Sequence, residues 1–563
     1  MRRLFNRICA SSLVLLLSAG ALLADNSKIS PDLQALLGSR GKVNVIVQYN
    51  TPPPSSSSGL LGLVSGVVNL LGGVLNAVFS LIPAVSATLD LGNVVAVSNQ
   101  PNVAYVSLDR ALNAQLDYTA AAVDAPVAWN FGLDGTGVGV AVIDSGIYNH
   151  PDLNAARGNA SRVVYRQSFI GGSKADDFGH GTHVAGIVAG NGSSSDKPGA
   201  FRTFKGIAPN ANLLDLRVLD ANGATNDSIV IAAIEKAVQL KKQYNVRIIN
   251  LSIGRPIYES SSKDPLCQAV EAAWRSGIVV VTAAGNLGRN GYATVLSPGN
   301  TPNTITVGAM KTEETMSRTD DLIASYSSRG PTYIDFTAKP DVVAPGNTVD
   351  SLLSPGSTLA REYPGNILPS SAYTTAPVAA SSPLYFQLSG TSMATPVVSG
   401  AAALLIQKDP TLTPDTVKAR LMKTAYKKFP VSSVAYDPTT GKAYTDIYDM
   451  FTVGAGYVDI AAALANYDQT YSPALSPQVY YIPAFQLAFL ATNFGSAWWA
   501  SPLWNVNTVW GPSVLMPGPA GTAVWGSNAS WGTNASWGTN ASWGTNASWG
   551  TNASWGTMTQ GEK

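Results

Sequence analysis

Residues from about 116 to 467 predict an α/β domain three layers thick, a mostly parallel sheet between two layers of helix. Short, nearly uncharged apolar runs recur at 138–143, 213–218, 248–251, 278–283 and 304–307, as strands buried on both faces do. Amphipathic stretches at 227–240 and 266–276 fall between successive runs and read as helices. Strand–helix alternation favours parallel pairing, because each crossover helix carries the chain back to start the next strand in the same direction. Thr413-Pro414-Asp415 marks a further helix start: a hydroxyl cap, proline at the first helical position and an acid in the first turn.

The rest of the chain divides by composition. Residues 1–24 read as an export signal, with Arg2, Arg3 and Arg7 before an apolar stretch at 12–23, and Ala19, Ala21 and Ala24 as small residues for cleavage. Residues 25–115 form a first, small α+β unit. Strands are expected at 43–49 and 104–108, with a proline- and serine-rich hinge after the first. The uncharged run 59–87 places Leu60, Val64, Val67, Leu71, Val74, Val78 and Leu81 at helical spacing, so a long helix packed on a small sheet is expected. The run is long enough to cross a membrane, but five glycines between 59 and 73 and Pro83 argue against a span.

Residues 468–563 form a C-terminal extension. Ser-Asn-Ala-Ser-Trp-Gly from Ser527 is followed by four copies of Thr-Asn-Ala-Ser-Trp-Gly, ending at Gly556. This repeat is too polar and glycine-rich to build a core, so disorder is expected. The alternative is a surface tail whose tryptophans contact carbohydrate or a cell wall. Asn528, Asn534, Asn540, Asn546 and Asn552 each sit in an Asn-x-Ser acceptor pattern.

Composition narrows the class. Hydrophobic residues are 45% and charged residues 13%, a balance that suits globular domains outside the cell. A net charge of +1 leaves no electrostatic footprint for nucleic acid. Of two cysteines, Cys9 lies in the leader, leaving Cys267 without an internal disulfide partner or a CxxC metal site.

Three histidines, His150, His180 and His183, limit any histidine chemistry. Ser392, in Gly390-Thr391-Ser392-Met393-Ala394, stands where a helix begins, so free N–H groups and the helix dipole favour negative charge beside it. A serine there is otherwise simply a cap. As a nucleophile it needs a base, and a histidine of reference pKa about 6.5 suits proton transfer near neutral pH. His180, flanked by glycines, is the candidate, while His183 faces the core and His150 falls on a surface turn. Asp144 ends a buried strand and supplies an anion to orient the ring, or else merely closes a turn. Asn286, after another buried strand, offers an amide donor for an oxyanion, or is an ordinary turn residue.

Taken together, Val142-Ile143-Asp144-Ser145-Gly146, His180-Gly181-Thr182-His183-Val184-Ala185-Gly186 and Gly390-Thr391-Ser392-Met393-Ala394-Thr395-Pro396 resemble the subtilisin-like serine protease family, in its chain order, over roughly residues 120–465. The resemblance implies a secreted endopeptidase with Asp144, His180 and Ser392 as its triad and Asn286 in the oxyanion hole. It marks Ser252, Ile253 and Gly254 as one wall of a specificity pocket and Ala283, Ala284 and Gly285 as the other. Asn222-Gly223-Ala224 resembles the edge strand that pairs with extended protein or peptide substrates. The unit 25–115 resembles the family's pro-domain, an intramolecular inhibitor removed on maturation near residues 110–122. No cofactor is required. Asp152 matches a calcium ligand of some members, but the loop 191–204 does not match their calcium loop, so a structural calcium is allowed rather than implied. The stretch 346–386 is longer than expected and reads as a substrate-side loop. A lipase would carry Gly-x-Ser-x-Gly and the order Ser, acid, His. A non-catalytic surface-binding protein on this scaffold is the other alternative; the intact Asp144, His180, Ser392 and Asn286 argue against it.

Overall fold

The computed structural model describes residues 26–34, 36–50, 73–78, 84–108, 114–115, 118–155, 160–172, 175–375, 383–437, 441–482, 487–491, 493–510 and 562. The leader, the hinge, most of 59–73 and the repeat lie outside them. The chain forms two compact units, Met1–Asn113 and Ala114–Lys563.

In the first unit, β1 (Lys42–Tyr49), β2 (Val74–Val78), β3 (Ala84–Asp90) and β4 (Val103–Leu108) form an antiparallel sheet in the order β2-β3-β1-β4, with α1 (Val94–Ser98) between β3 and β4. Val45, Val47, Val85, Ala87, Leu89, Val94 and Val106 fill its core. The helix expected across 59–87 is therefore replaced by two strands over its described part. A run of small apolar residues without charges fits either period. What decides is β1, whose N–H and C=O groups need partners on both edges, and β3 supplies one of them.

The second unit holds the predicted sheet. Its first elements are β5 (Gly139–Asp144), β6 (Val163–Ser168), α2 (His180–Ala189), β7 (Asn212–Arg217), α3 (Asp227–Gln239), β8 (Val246–Leu251) and α4 (Pro265–Arg275). Then come β9 (Val279–Ala283), β10 (Ile305–Lys311), β11 (Leu322–Ile323) and β12 (Val342–Pro345). The order is β6-β7-β5-β8-β9-β10, all parallel, and β10 also pairs with β12 in parallel and with β11 antiparallel. Every residue of β5 and β9 is buried, as their unbroken apolar runs require. β13 (Val349–Leu352) and β14 (Tyr385–Leu388) make a separate hairpin, and α5 (Thr391–Lys408) follows. Helix α5 is buried from Thr391 to Ile406 and packs on β8, β9, β10, β12 and α2, as a helix without a polar face must. In α6 (Pro414–Thr424) the Thr413 side chain caps Thr416 N–H, as the sequence predicts.

The core does not stop at residue 467. Val479–Ile482 and Leu487–Leu490 form a hairpin, and Trp498 and Trp504, each 1% exposed, join the core of this unit. Their indole N–H groups donate to the carbonyls of Leu475 and Gln469. The first forty or so residues of the expected extension thus belong to the α/β unit, because their tryptophans have core to bury and carbonyls to bond. Among the described residues, no helix is long and apolar enough to cross a membrane.

Candidate active site

From β5 the chain builds β6 and β7 on one side, then crosses to β8, β9 and β10 on the other, so a crevice opens between the C-terminal ends of β5 and β8. Asp144 is the last residue of β5, and Ser252 directly follows β8. Asp144 Oδ1 accepts the Ser145 N–H at 2.7 Å and lies 2.7 Å from His180 Nδ1, both side chains being buried. An ionised carboxylate only accepts, so Nδ1 carries a hydrogen and Nε2 is the basic nitrogen.

His180 opens α2, and Asp176 anchors that helix start. Asp176 Oδ1 accepts the Gly179 N–H (2.7 Å) and the Ser145 hydroxyl (2.8 Å). Its Oδ2 accepts the Thr182 N–H (2.8 Å) and hydroxyl (2.6 Å). Ser145 Oγ in turn accepts the Gly181 N–H at 2.8 Å. Donors left orphaned in the first helical turn are thereby used to dock the helix onto the end of β5. Gly181 permits the approach: a Cβ there would overlap the Gly146 carbonyl oxygen and come 3.1 Å from Asp144 Cβ.

Ser392 lies in the first turn of α5, fully buried, and its hydroxyl donates to the Ser252 carbonyl at 3.1 Å. Ser252 Oγ returns a bond to the Ser392 carbonyl (2.9 Å) and accepts from Asn250 Nδ2 (3.0 Å), whose Oδ1 accepts from Ser399 (2.8 Å). The end of β8 is thus laced to the start of α5. Asn286 Oδ1 accepts the Thr391 N–H at 2.9 Å, which fixes the orientation of the amide. Its Nδ2 is buried without a hydrogen-bond partner, leaving a donor aimed beside the α5 N-terminus.

The two expected pocket walls face one another across Leu296. A Cβ on Gly254 would come 3.1 Å from Leu296 Cβ, and one on Gly285 would come 2.7 Å from its Cγ, so the side chain fits because both residues are glycines. Ile253 is half-buried, while Ser252, Ala283 and Ala284 are buried. The Ala284 carbonyl accepts the Leu296 N–H (2.9 Å) and the Ala284 N–H donates to Val307 (3.0 Å), so that stretch of wall has little main chain left for a ligand. Asn222-Gly223-Ala224 is a turn rather than an edge strand. Asp220 Oδ1 accepts the N–H groups of Asn222 and Ala224, and Gly223 adopts φ +76°. Asp-Ala-Asn-Gly is turn chemistry, and a local Asx bond outcompetes extension. Extended backbone resumes by Asn226 (φ −121°, ψ 153°).

His183 faces the core as expected, its Nε2 lying 3.0 Å from the carbonyls of Val349 and Phe386; burial holds its pKa down at about 3. His150 is buried rather than on a surface turn, between the Asp152 N–H and the Leu384 carbonyl, because the loop 346–386 covers it. That loop also donates Ser354 Oγ, Thr358 N and Leu359 N to the carbonyls of Asp176, Asp177 and Phe178, just ahead of His180. Asp152 is met by three donors of the chain itself: Oδ1 accepts from Ser193 Oγ (3.1 Å) and Ser194 N (2.7 Å), and Oδ2 from the Tyr385 hydroxyl (2.7 Å). No group of three or more His, Cys, Asp or Glu among the described residues is placed to hold a metal ion. Asp176 and Leu296 escape the sequence analysis. Asp176, four residues before the helix, carries a cap signal; Leu296 carries none.

The sequence model of the subtilase family matches residues 135–456. The chain is 39% identical over 340 residues to serine protease AprX of Bacillus subtilis (strain 168), covering 59% of this chain and 71% of that protein. It is 36% identical over 352 residues to subtilisin E of the same organism, covering 62% and 76%. With M-protease of Shouchella clausii (strain KSM-K16) it shares 33% over 388 residues, covering 68% and 80%. The match contains β5 through α6 and with them both strand ends that border the crevice, so the chain belongs to the subtilase family and is a serine-type endopeptidase acting on proteins and peptides.

Proposed function

We propose that Ser392, His180 and Asp144 form the catalytic triad of this endopeptidase and that Asn286 donates to the oxyanion. The buried 2.7 Å bond between His180 and Asp144 carries the reading, because it fixes the tautomer that a general base needs. Rotation of the Ser392 side chain away from the Ser252 carbonyl delivers its hydroxyl to His180 Nε2. His180 takes the proton as Ser392 Oγ attacks the scissile carbonyl, and Asp144 stabilises the imidazolium. The developing oxyanion receives the Asn286 Nδ2–H and the Ser392 N–H at the positive end of α5. His180 then protonates the leaving amine, and water releases the acyl group by the same route.

Substrate lies extended between 252–254 and 225–226, with the side chain before the scissile bond entering the slot above Leu296. That floor makes the slot shallow, so small side chains are favoured. Residues 25–115 serve as an inhibitory pro-domain, removed after the leader 1–24 has directed export, and the mature enzyme acts outside the cell. The proposed steps use side chains and main-chain N–H groups of the chain alone.

Ser392→Ala abolishes hydrolysis of casein and stops maturation in cis, and a fluorophosphonate labels the wild type at Ser392. Wild-type turnover by the purified variant, or labelling at another serine, overturns the assignment.

A further inference from the structure

Far from the triad in sequence, Glu562 is inserted into the α/β unit with its side chain fully buried. A buried carboxylate is costly unless donors meet it, and here three do. Arg289 Nη2 lies 2.7 Å from Oε1, the Ser325 N–H donates to Oε2 at 2.8 Å, and the Ser325 hydroxyl donates to Oε1. The main chain of the same residue is also read. Its N–H donates to Asn347 Oδ1 at 2.9 Å, and its carbonyl accepts from Asn347 Nδ2 at 3.0 Å. One side-chain amide thus brackets the main chain of one residue, N–H and C=O together, which a free anion has no means of satisfying.

The receiving groups are held ready. Arg289 is fixed by Asp437 (2.6 Å), by Ser325 Oγ (2.9 Å) and by the Tyr444 ring. Asn347 is buried and follows Gly346, whose carbonyl accepts both the Tyr326 hydroxyl and the Gly390 N–H. We propose that Arg289, Ser325 and Asn347 form a binding site for an acidic residue within a peptide segment, and that its occupant is Glu562 of the same chain. Trp510 and Glu562 are thereby both held by the peptidase unit. The pocket wall at 325–328 also supports the Asn286 loop, since Ser328 donates its N–H to the Gly285 carbonyl and accepts the Leu287 N–H.

The test uses the Ser392→Ala background, to prevent cleavage, and a synthetic peptide of residues 557–563. By calorimetry, a chain ending at Gly556 binds this peptide. A peptide carrying Glu562→Gln binds at least about ten-fold more weakly, having lost the charge-assisted bonds. The full chain also binds the wild-type peptide at least about ten-fold more weakly, because its own Glu562 competes at high effective concentration. Should the shortened chain fail to fold, the full chain with Glu562→Gln answers the same question by gaining affinity for the wild-type peptide. No binding to the emptied pocket, equal binding of the Gln peptide, or equal binding by full and shortened chains overturns the proposal.

Discussion

At the scale of single residues, what distinguishes the proposed catalytic groups is where their hydrogen bonds are already used. Asn286 Oδ1 is fixed by the Thr391 N–H, so Nδ2 is presented without reorganisation. Asn286→Ala lowers kcat by about 10²–10³ while KM changes little, a magnitude borrowed from a subtilisin rather than obtained from this geometry. Steady-state kinetics on a short peptide separates the two constants. His183 illustrates the opposite fate, an imidazole used only as structure. Burial is the main cause of its pKa of about 3, against 6.5 unperturbed, so between those values the unfolded chain binds a proton that the folded one refuses. Stability contributed by His183 is therefore full above about pH 6.5 and lost as pH falls toward 3, with a slope of up to about 1.4 kcal/mol per pH unit. His150, also lowered by burial, acts in the same direction. Denaturant midpoints measured from pH 7 to 4 decline less steeply for His183→Gln than for wild type.

Elements meet at this site through close approaches that local pattern does not announce. Strand runs such as Val279–Ala283 are legible because a doubly buried strand has no polar residue to spare. Within the run 59–87, residues 74–78 and 84–87 are misleading for a related reason, since small apolar residues fit either period and only the partner strand decides. Leu296 is invisible from its neighbours; it fits between the two proposed walls, as the floor of the proposed slot, because Gly254 and Gly285, far apart in sequence, leave room on both sides. Leu296→Gly deepens the slot. The ratio of kcat/KM for phenylalanine over alanine before the scissile bond rises by about ten-fold or more. Some stability is lost as the leucine leaves a gap, by about 2–5 kcal/mol or less where the walls collapse inward. Paired peptide substrates and a thermal melt measure both effects, and an unchanged ratio would place the floor elsewhere.

Over the whole molecule, the C-terminal extension has two parts with different dependence on the fold. Deleting 527–556 leaves small-peptide hydrolysis within about two-fold, because so polar and glycine-rich a sequence has no core of its own to contribute. Truncation after residue 468 instead removes Trp498 and Trp504, each worth about 3–5 kcal/mol when buried, and the unit no longer folds cooperatively. It also removes Ser476, whose hydroxyl donates to Asp341 within the buried Lys339–Asp341–Lys418 cluster. Melting curves and peptide hydrolysis on the two truncations distinguish these outcomes. The sequence alone determined the α/β class, five strands of the large sheet and the motifs that mark its family, because buried runs and short motifs around strand and helix ends are local properties. Only the tertiary structure decided that Asp176 docks the His180 helix, that Leu296 sits between Gly254 and Gly285, that Ser193, Ser194 and Tyr385 donate to Asp152 and that Glu562 enters the domain. Each of those depends on groups that come within bonding distance only after distant segments have packed.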